Sequence, residues 1–118
     1  MTSSVAAIDA SFEVADRGEL MVLRARGEID VASVPAFREQ LEVALGRDTP
    51  LVVVDTTDVQ FIDSAGLRVL VDYLTTARRR DGDLRVACPK ASLRRTFEIT
   101  GLDRVLGVHA SIEEATAR

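Results

Sequence analysis

The run Asp63-Ser64-Ala65-Gly66-Leu67 follows an apolar strand, Leu51 to Val54, and opens an amphipathic helix. It sets a hydroxyl where free backbone N–H groups converge, a favourable place for a phosphate. Esterified on Ser64, a phosphate would add roughly −1.5 to −2 charges beside Asp63. A second reading of Ser64 is a plain helix cap, which contributes about 1 kcal/mol. Gly66 argues for something more, because glycine in a first helical turn costs about 1 kcal/mol against alanine. The missing side chain implies that something comes close to the backbone there. Phe61 and Ile62, just upstream, read as strand core or docking surface, with at least one of them in the core.

Catalytic chemistry finds little support. His109 is the only histidine and has no acidic partner within a few positions, which favours a structural or surface role. A Ser-His-Asp triad would pair it with Ser64, but no G-x-S-x-G elbow surrounds that serine. Neither G-x-G-x-x-G nor G-x-x-x-x-G-K-[ST] occurs, so the nucleotide-fold fingerprints are missing. A metal would have to rely on carboxylates, and Asp55, Asp58 and Asp63 do not form a recognisable metal loop. Asp55 and Asp58 read as loop polarity and turn formation. The expectation is no enzyme, no cofactor and no metal.

The elements that position Ser64 are legible in the patterning. Residues 1–10 show weak patterning and read as a ragged start. Ser11 to Ala15 alternates as an edge strand, Asp16-Arg17-Gly18-Glu19 has turn chemistry, and Leu20 to Ala25 completes a hairpin. Gly27-Glu28-Ile29-Asp30 leaves that strand. Ser33 offers an N-cap and Pro35 suits the first turn of a helix carrying Phe37, Leu41, Ala44 and Leu45 and ending near Gly46. Leu51 to Val54 is continuously apolar, as in a strand covered on both faces or central in a sheet. Leu67, Leu70, Val71 and Leu74 mark the next helix, which carries Arg78, Arg79 and Arg80 in its last turn and stops at Gly82. Leu84, Val86 and Cys88 alternate in a strand closed by Pro89. Leu93, Thr96, Phe97 and Thr100 share a face of a third helix, capped by Gly101 with Leu102 folding back. Val105 to Val108 is a short strand, and Ser111-Ile112-Glu113-Glu114 opens a last helix with capping-box spacing.

The order β-β-α-β-α-β-α-β-α predicts an α/β fold: a mixed, mostly parallel sheet of about five strands with an N-terminal antiparallel edge hairpin and about four helices. The 118 residues fit one domain, 1–118, with no linker or repeat. Composition is ordinary for a globular chain, 47% hydrophobic and 29% charged. The net charge of −4 argues against non-specific nucleic-acid binding and gives no reason to expect a membrane partner. Arg78–Arg80 and Arg94-Arg95 read as solvated helix surface. No apolar run approaches the roughly 20 residues of a membrane span, and the N-terminus lacks signal-peptide regions. Cys88 is the only cysteine, so no internal disulfide is expected and the residue reads as small and buried. Together these features predict a cytoplasmic protein.

Four segments in order carry a resemblance over roughly residues 10–115: Gly27-Glu28-Ile29-Asp30 with Ser33-Val34-Pro35, then Val54-Asp55, then Asp63-Ser64-Ala65-Gly66-Leu67, then Thr100-Gly101-Leu102. The chain resembles the STAS-domain anti-sigma-factor antagonists, bacterial regulators of sigma-factor availability. The resemblance implies the STAS fold and phosphorylation of Ser64 by a partner anti-sigma factor that is itself a serine kinase. It also implies release of that partner on phosphorylation and reactivation by a serine phosphatase. Asp30 is implied to support binding or phosphorylation, and the partner surface to comprise Asp30, Asp63, Ala65, Gly66 and Leu67. Relatives often have Ser or Thr after the phosphorylated serine; Ala65 removes that second acceptor. Two other roles stay open for a chain of this resemblance, an accessory subunit of a lipid or anion transporter and a module sensing a small ligand or nucleotide.

Overall fold

The computed structural model describes residues 2–46 and 51–117. The strands are β1 (Thr2–Ala6), β2 (Ala10–Asp16), β3 (Leu20–Ile29), β4 (Leu51–Ile62), β5 (Asp83–Ala87) and β6 (Gly107–His109). The helices are α1 (Val34–Leu45), α2 (Ser64–Arg79), α3 (Ala91–Thr100) and α4 (Ile112–Thr116), with a 3₁₀ turn at Leu102–Arg104. The strands form one sheet in sequence order; β1, β2 and β3 pair antiparallel, whereas β3 to β6 pair parallel through helical crossovers.

Among the described residues the fold class and the four helices match the expectation, and the sheet has six strands where about five were expected. The extra one is β1, in the stretch read as a ragged start, so β2 is not the edge. Its pattern is weak because it consists of small residues. What holds it is distant: the Ser3 hydroxyl donates to Gln40 Oε1 at 3.0 Å, and the buried Gln40 amide donates to the Phe12 carbonyl at 3.3 Å. A buried amide left without partners would cost about 1–3 kcal/mol, so this bridge also secures α1 over the hairpin. Phe12 stacks on Phe37 beside it, ring centroids 4.9 Å apart.

β4 runs eight residues past its expected end at Val54. Asp55 and Asp58, expected in a loop, lie within it. Asp55 is 4% exposed and pairs with Arg24 of β3 at 3.3 Å, while accepting hydrogen bonds from the Thr57 backbone and hydroxyl. Thr56 is buried as well and donates to the Ala87 carbonyl of β5 at 2.8 Å. These polar residues continue the strand because β3 and β5 satisfy them. The pairing of β3 with β4 shifts register twice, between Arg24 and Arg26 and between Gly27 and Glu28. Such bulges re-aim the end of the strand.

Leu51 to Val54 are all buried, and they divide between two apolar clusters as alternation requires. Val52 and Val54 face the main core, which also draws on α1, α2 and α3; Leu51 and Val53 face a smaller cluster closed by Ile112 and Ala115 of α4. The strand is thus covered on both faces. Cys88 is buried, and burial pushes its thiol up, away from the reactive thiolate.

Away from the start of α2, two helix ends and one strand differ from the expectations. Ser33 sits at the N-cap position of α1 but makes no side-chain cap. Its hydroxyl instead accepts from the Asp30 N–H at 2.9 Å. At the end of α2 the left-handed position belongs to Asp81 (φ 61°) rather than Gly82. The N–H groups of Gly82 and Asp81 bond back to Ala77 and Arg78, closing a Schellman motif. The strand expected at Val105–Val108 forms later, at Gly107–His109, because Leu102–Arg104 winds into the 3₁₀ turn and Leu106 donates back to Leu102. Gly101 (φ 77°) caps α3, Leu102 packs on the core, and the Ser111 hydroxyl accepts from Glu114 N–H, all as expected.

Candidate functional site

Two parallel neighbours end side by side. Ile29 of β3 is in register with Ile62 of β4, so the turns that begin at Asp30 and Asp63 leave the sheet together. The Asp63 N–H donates to the Ile29 carbonyl at 3.0 Å and ties one turn to the other. The sheet thereby places Asp30 beside the Asp63-Ser64 turn, although they lie far apart in sequence. Carboxyl ends of parallel strands are where open α/β sheets carry their sites.

The cap of α2 is Asp63, not Ser64. Asp63 has the extended backbone of an N-cap (φ −96°, ψ −176°), and its Oδ1 accepts from Ala65 N–H at 2.9 Å and Gly66 N–H at 3.1 Å. Ser64 is the first helical residue, one position too late to reach those groups, and its side chain is exposed. This corrects both readings of Ser64. The serine does not cap the helix, and the N–H groups of Ala65 and Gly66, expected to be free for a phosphate, are already taken. Asp63→Ala is expected to lower stability by about 1 kcal/mol in urea denaturation, whereas Ser64→Ala leaves the midpoint almost unchanged.

Gly66 needs its missing side chain for an internal reason. A Cβ there would lie 2.7 Å from both Ile29 Cγ2 and Ile62 Cγ1. What approaches the backbone, as the missing side chain implied, is the core itself. Leu67 is also buried, within the main cluster. These two residues of the expected partner surface therefore seat the turn from beneath.

The exposed rim consists of Ser64 with half-buried Asp30, Asp63 and Ala65. Two apolar side chains join it: Val31, 75% exposed, and Phe61, 48% exposed, while its neighbour Ile62 is in the core. Asp30 is held by its own turn, Oδ1 accepting from Ala32 N–H at 3.0 Å and Ser33 N–H at 3.2 Å. From Ser64 an open groove of about 440 Å³ runs along α2, past Arg68 and Val71, to a far wall of Thr100 and Leu102. Thr100-Gly101-Leu102 thus belongs to the same surface as Ser64.

Val31 and Arg68 were not singled out from the sequence. An apolar residue immediately after a turn-forming aspartate was the available signal for Val31; for Arg68 it was a cation four residues after the candidate serine. His109 closes β6, and it enters no ion pair among the described residues. Among those residues no helix is long and apolar enough to cross a membrane.

Comparison with known proteins places this geometry. The STAS domain family matches residues 11–115. The anti-sigma-B factor antagonist of Bacillus subtilis is 36% identical over 74% of this chain and 79% of its own length. That of Listeria monocytogenes is 35% identical over 70% of this chain and 72% of its own. A crystal structure of an anti-sigma factor antagonist from Mycobacterium paratuberculosis superposes with a TM-score of 0.82 at 25% identity, covering 90% of each chain. With the sheet order, the paired turns and these matches in agreement, the chain belongs to the STAS-domain family of anti-sigma-factor antagonists, which regulate rather than catalyse.

Proposed function

We propose that this chain is a phosphorylation-switched antagonist working in the cytoplasm as one STAS domain. Unmodified, it binds an anti-sigma factor with serine-kinase activity, and the sigma factor is released. Phosphate on Ser64 dissolves that complex, and a serine phosphatase restores the binding form. Partner contact falls on the rim of Asp30, Asp63, Ser64 and Ala65 with Val31 and Phe61, over a turn shaped by Gly66 and Leu67.

The observation that carries this reading is the exposed Ser64 hydroxyl directly after an occupied cap. A kinase can reach it without unfolding the helix end. The phosphate it would receive cannot sink onto the N–H groups of Ala65 and Gly66, because the Asp63 carboxylate holds them. The new charge therefore stays at the rim, beside Asp63 and Asp30, where a partner surface must be desolvated to dock. The relatives' names, anti-sigma-B factor antagonist, support the class of partner.

Incubation with the anti-sigma kinase of the same organism and ATP tests the reading. Mass spectrometry is expected to find one phosphate, on Ser64, and none on Ser64→Ala. An active kinase that binds the chain yet leaves Ser64 unmodified would refute the switch.

A further inference from the structure

Arg68 stands one helical turn after Ser64 on α2, and both line the same groove. Residues four apart on a helix are surface neighbours, with Cβ atoms about 5–6 Å apart. Helical side chains lean toward the N-terminus, which inclines the Arg68 guanidinium toward Ser64. Resting on the phosphoswitch reading of Ser64, we infer that Arg68 is the internal counter-ion of the phosphorylated serine. It draws the phosphate along α2, over the Ser64 end of the groove, instead of into the helix N-terminus.

The surrounding charges leave this as the favourable direction. On one side of Ser64 stands Asp63, whose carboxylate holds the N–H groups and repels a dianion. Asp30, on the neighbouring turn, adds a second negative group fixed by Ala32 and Ser33 N–H. Asp72, one turn beyond Arg68, is occupied by Arg38 of α1 at 3.0 Å, and that guanidinium also lies over the Tyr73 ring. Thr100 and Leu102 on the far wall bring no charge. Arg68 itself is exposed and enters none of the ion pairs among the described residues, which use Arg24, Arg26, Arg38, Arg78 and Arg85. A guanidinium offers a phosphate two parallel N–H donors, a geometry that lysine lacks.

The clamp is measurable without any partner. Phosphoserine is installed at position 64 by codon reassignment, and its ³¹P resonance is titrated between pH 4 and 9. An adjacent cation favours the dianion and lowers the second phosphate pKa; Asp63 and Asp30 act in the opposite sense. The wild-type phosphate is expected to titrate about half a pH unit lower than the same group in Arg68→Gln, with Arg68→Lys between them. Raising the salt to about 1 M should shrink the difference, as for any exposed pair. Identical titration curves for wild type and Arg68→Gln would overturn the clamp. Because no kinase is involved, that result leaves the phosphoswitch reading standing; a normal clamp with a Ser64 that no kinase modifies would count against the switch instead.

Discussion

Phosphorylated at Ser64, the protein is expected to bind its anti-sigma factor at least about a hundredfold more weakly than the unmodified form. The argument is electrostatic. The modification adds roughly −1.5 to −2 charges to a rim that already carries Asp30 and Asp63. Desolvating that dianion against a partner surface that has accommodated a neutral hydroxyl costs several kcal/mol, and each 1.4 kcal/mol is tenfold in affinity. Arg68 offsets part of that charge but was present before the phosphate, so the change remains strongly negative. Ser64→Asp, with a single charge on a shorter arm, should lose about tenfold, and Ser64→Ala should bind as the unmodified protein does. Titration calorimetry with the purified anti-sigma factor checks all three. A phosphorylated form within a few-fold of the unmodified one would rule out electrostatic exclusion. The mechanism also requires that ¹⁵N amide shifts caused by phosphorylation stay near the ends of β3 and β4 and the start of α2. Changes spread across the whole sheet would point to a rearrangement instead.

Gly27→Ala is expected to destabilise the fold by about 3 kcal/mol or more, the largest single-residue effect on stability that we anticipate outside the core. Gly27 sits in β3 at φ +86°, and a Cβ there would run into the Asp9 backbone carbonyl. That carbonyl accepts from Glu28 N–H at 2.8 Å, fixing the β1–β2 connection against β3. A left-handed backbone costs about 1–2 kcal/mol for any residue with a Cβ. Relieving the clash by moving Asp9 would also forfeit a hydrogen bond worth about 1 kcal/mol. Gly18 provides the control, with φ +83° and open space where its Cβ would go. Gly18→Ala carries the backbone cost alone, about 1–2 kcal/mol. Urea denaturation of both variants separates strain from collision; equal losses would show that the Asp9 contact contributes nothing.

Sequence patterning reveals which way a residue faces, and the fold was legible wherever that sufficed. Leu67, Leu70 and Leu74 defined α2 without help from elsewhere, although Val71, grouped with them, lines the groove while Val69 and Tyr73 are buried; Gly101 and Ser111 marked helix ends through local chemistry. Two misreadings in the sheet share a cause in partners distant along the chain. Asp55 looks like a loop residue until Arg24 supplies its counter-ion across the sheet. β1 looks patternless until Gln40 reaches it from α1. At the site itself, the four segments behind the family resemblance singled out Asp30, Ser64 and Thr100-Gly101-Leu102, but that Thr100 and Leu102 share a groove with Ser64 emerges only from the fold. The choice between Asp63 and Ser64 as cap depended on a single residue of helix phase, which periodicity does not resolve. Gly66 was recognised as purposeful, but its neighbours Ile29 and Ile62 come from two different strands.

The seating of Gly66 against those two isoleucines has a consequence for speed. With no Cβ in the way, α2 starts flush on the ends of β3 and β4, and the turn carrying Ser64 rests on packed core. On the docking proposed for this rim, a partner meets a surface already in its binding shape and need not wait for a loop to order. Association is then set by diffusion and charge steering, and little of the binding free energy is lost to ordering the turn. A phosphate on Ser64 is expected to act on both halves of that encounter, deflecting arrivals and shortening stays, with the scaffold beneath it keeping its shape.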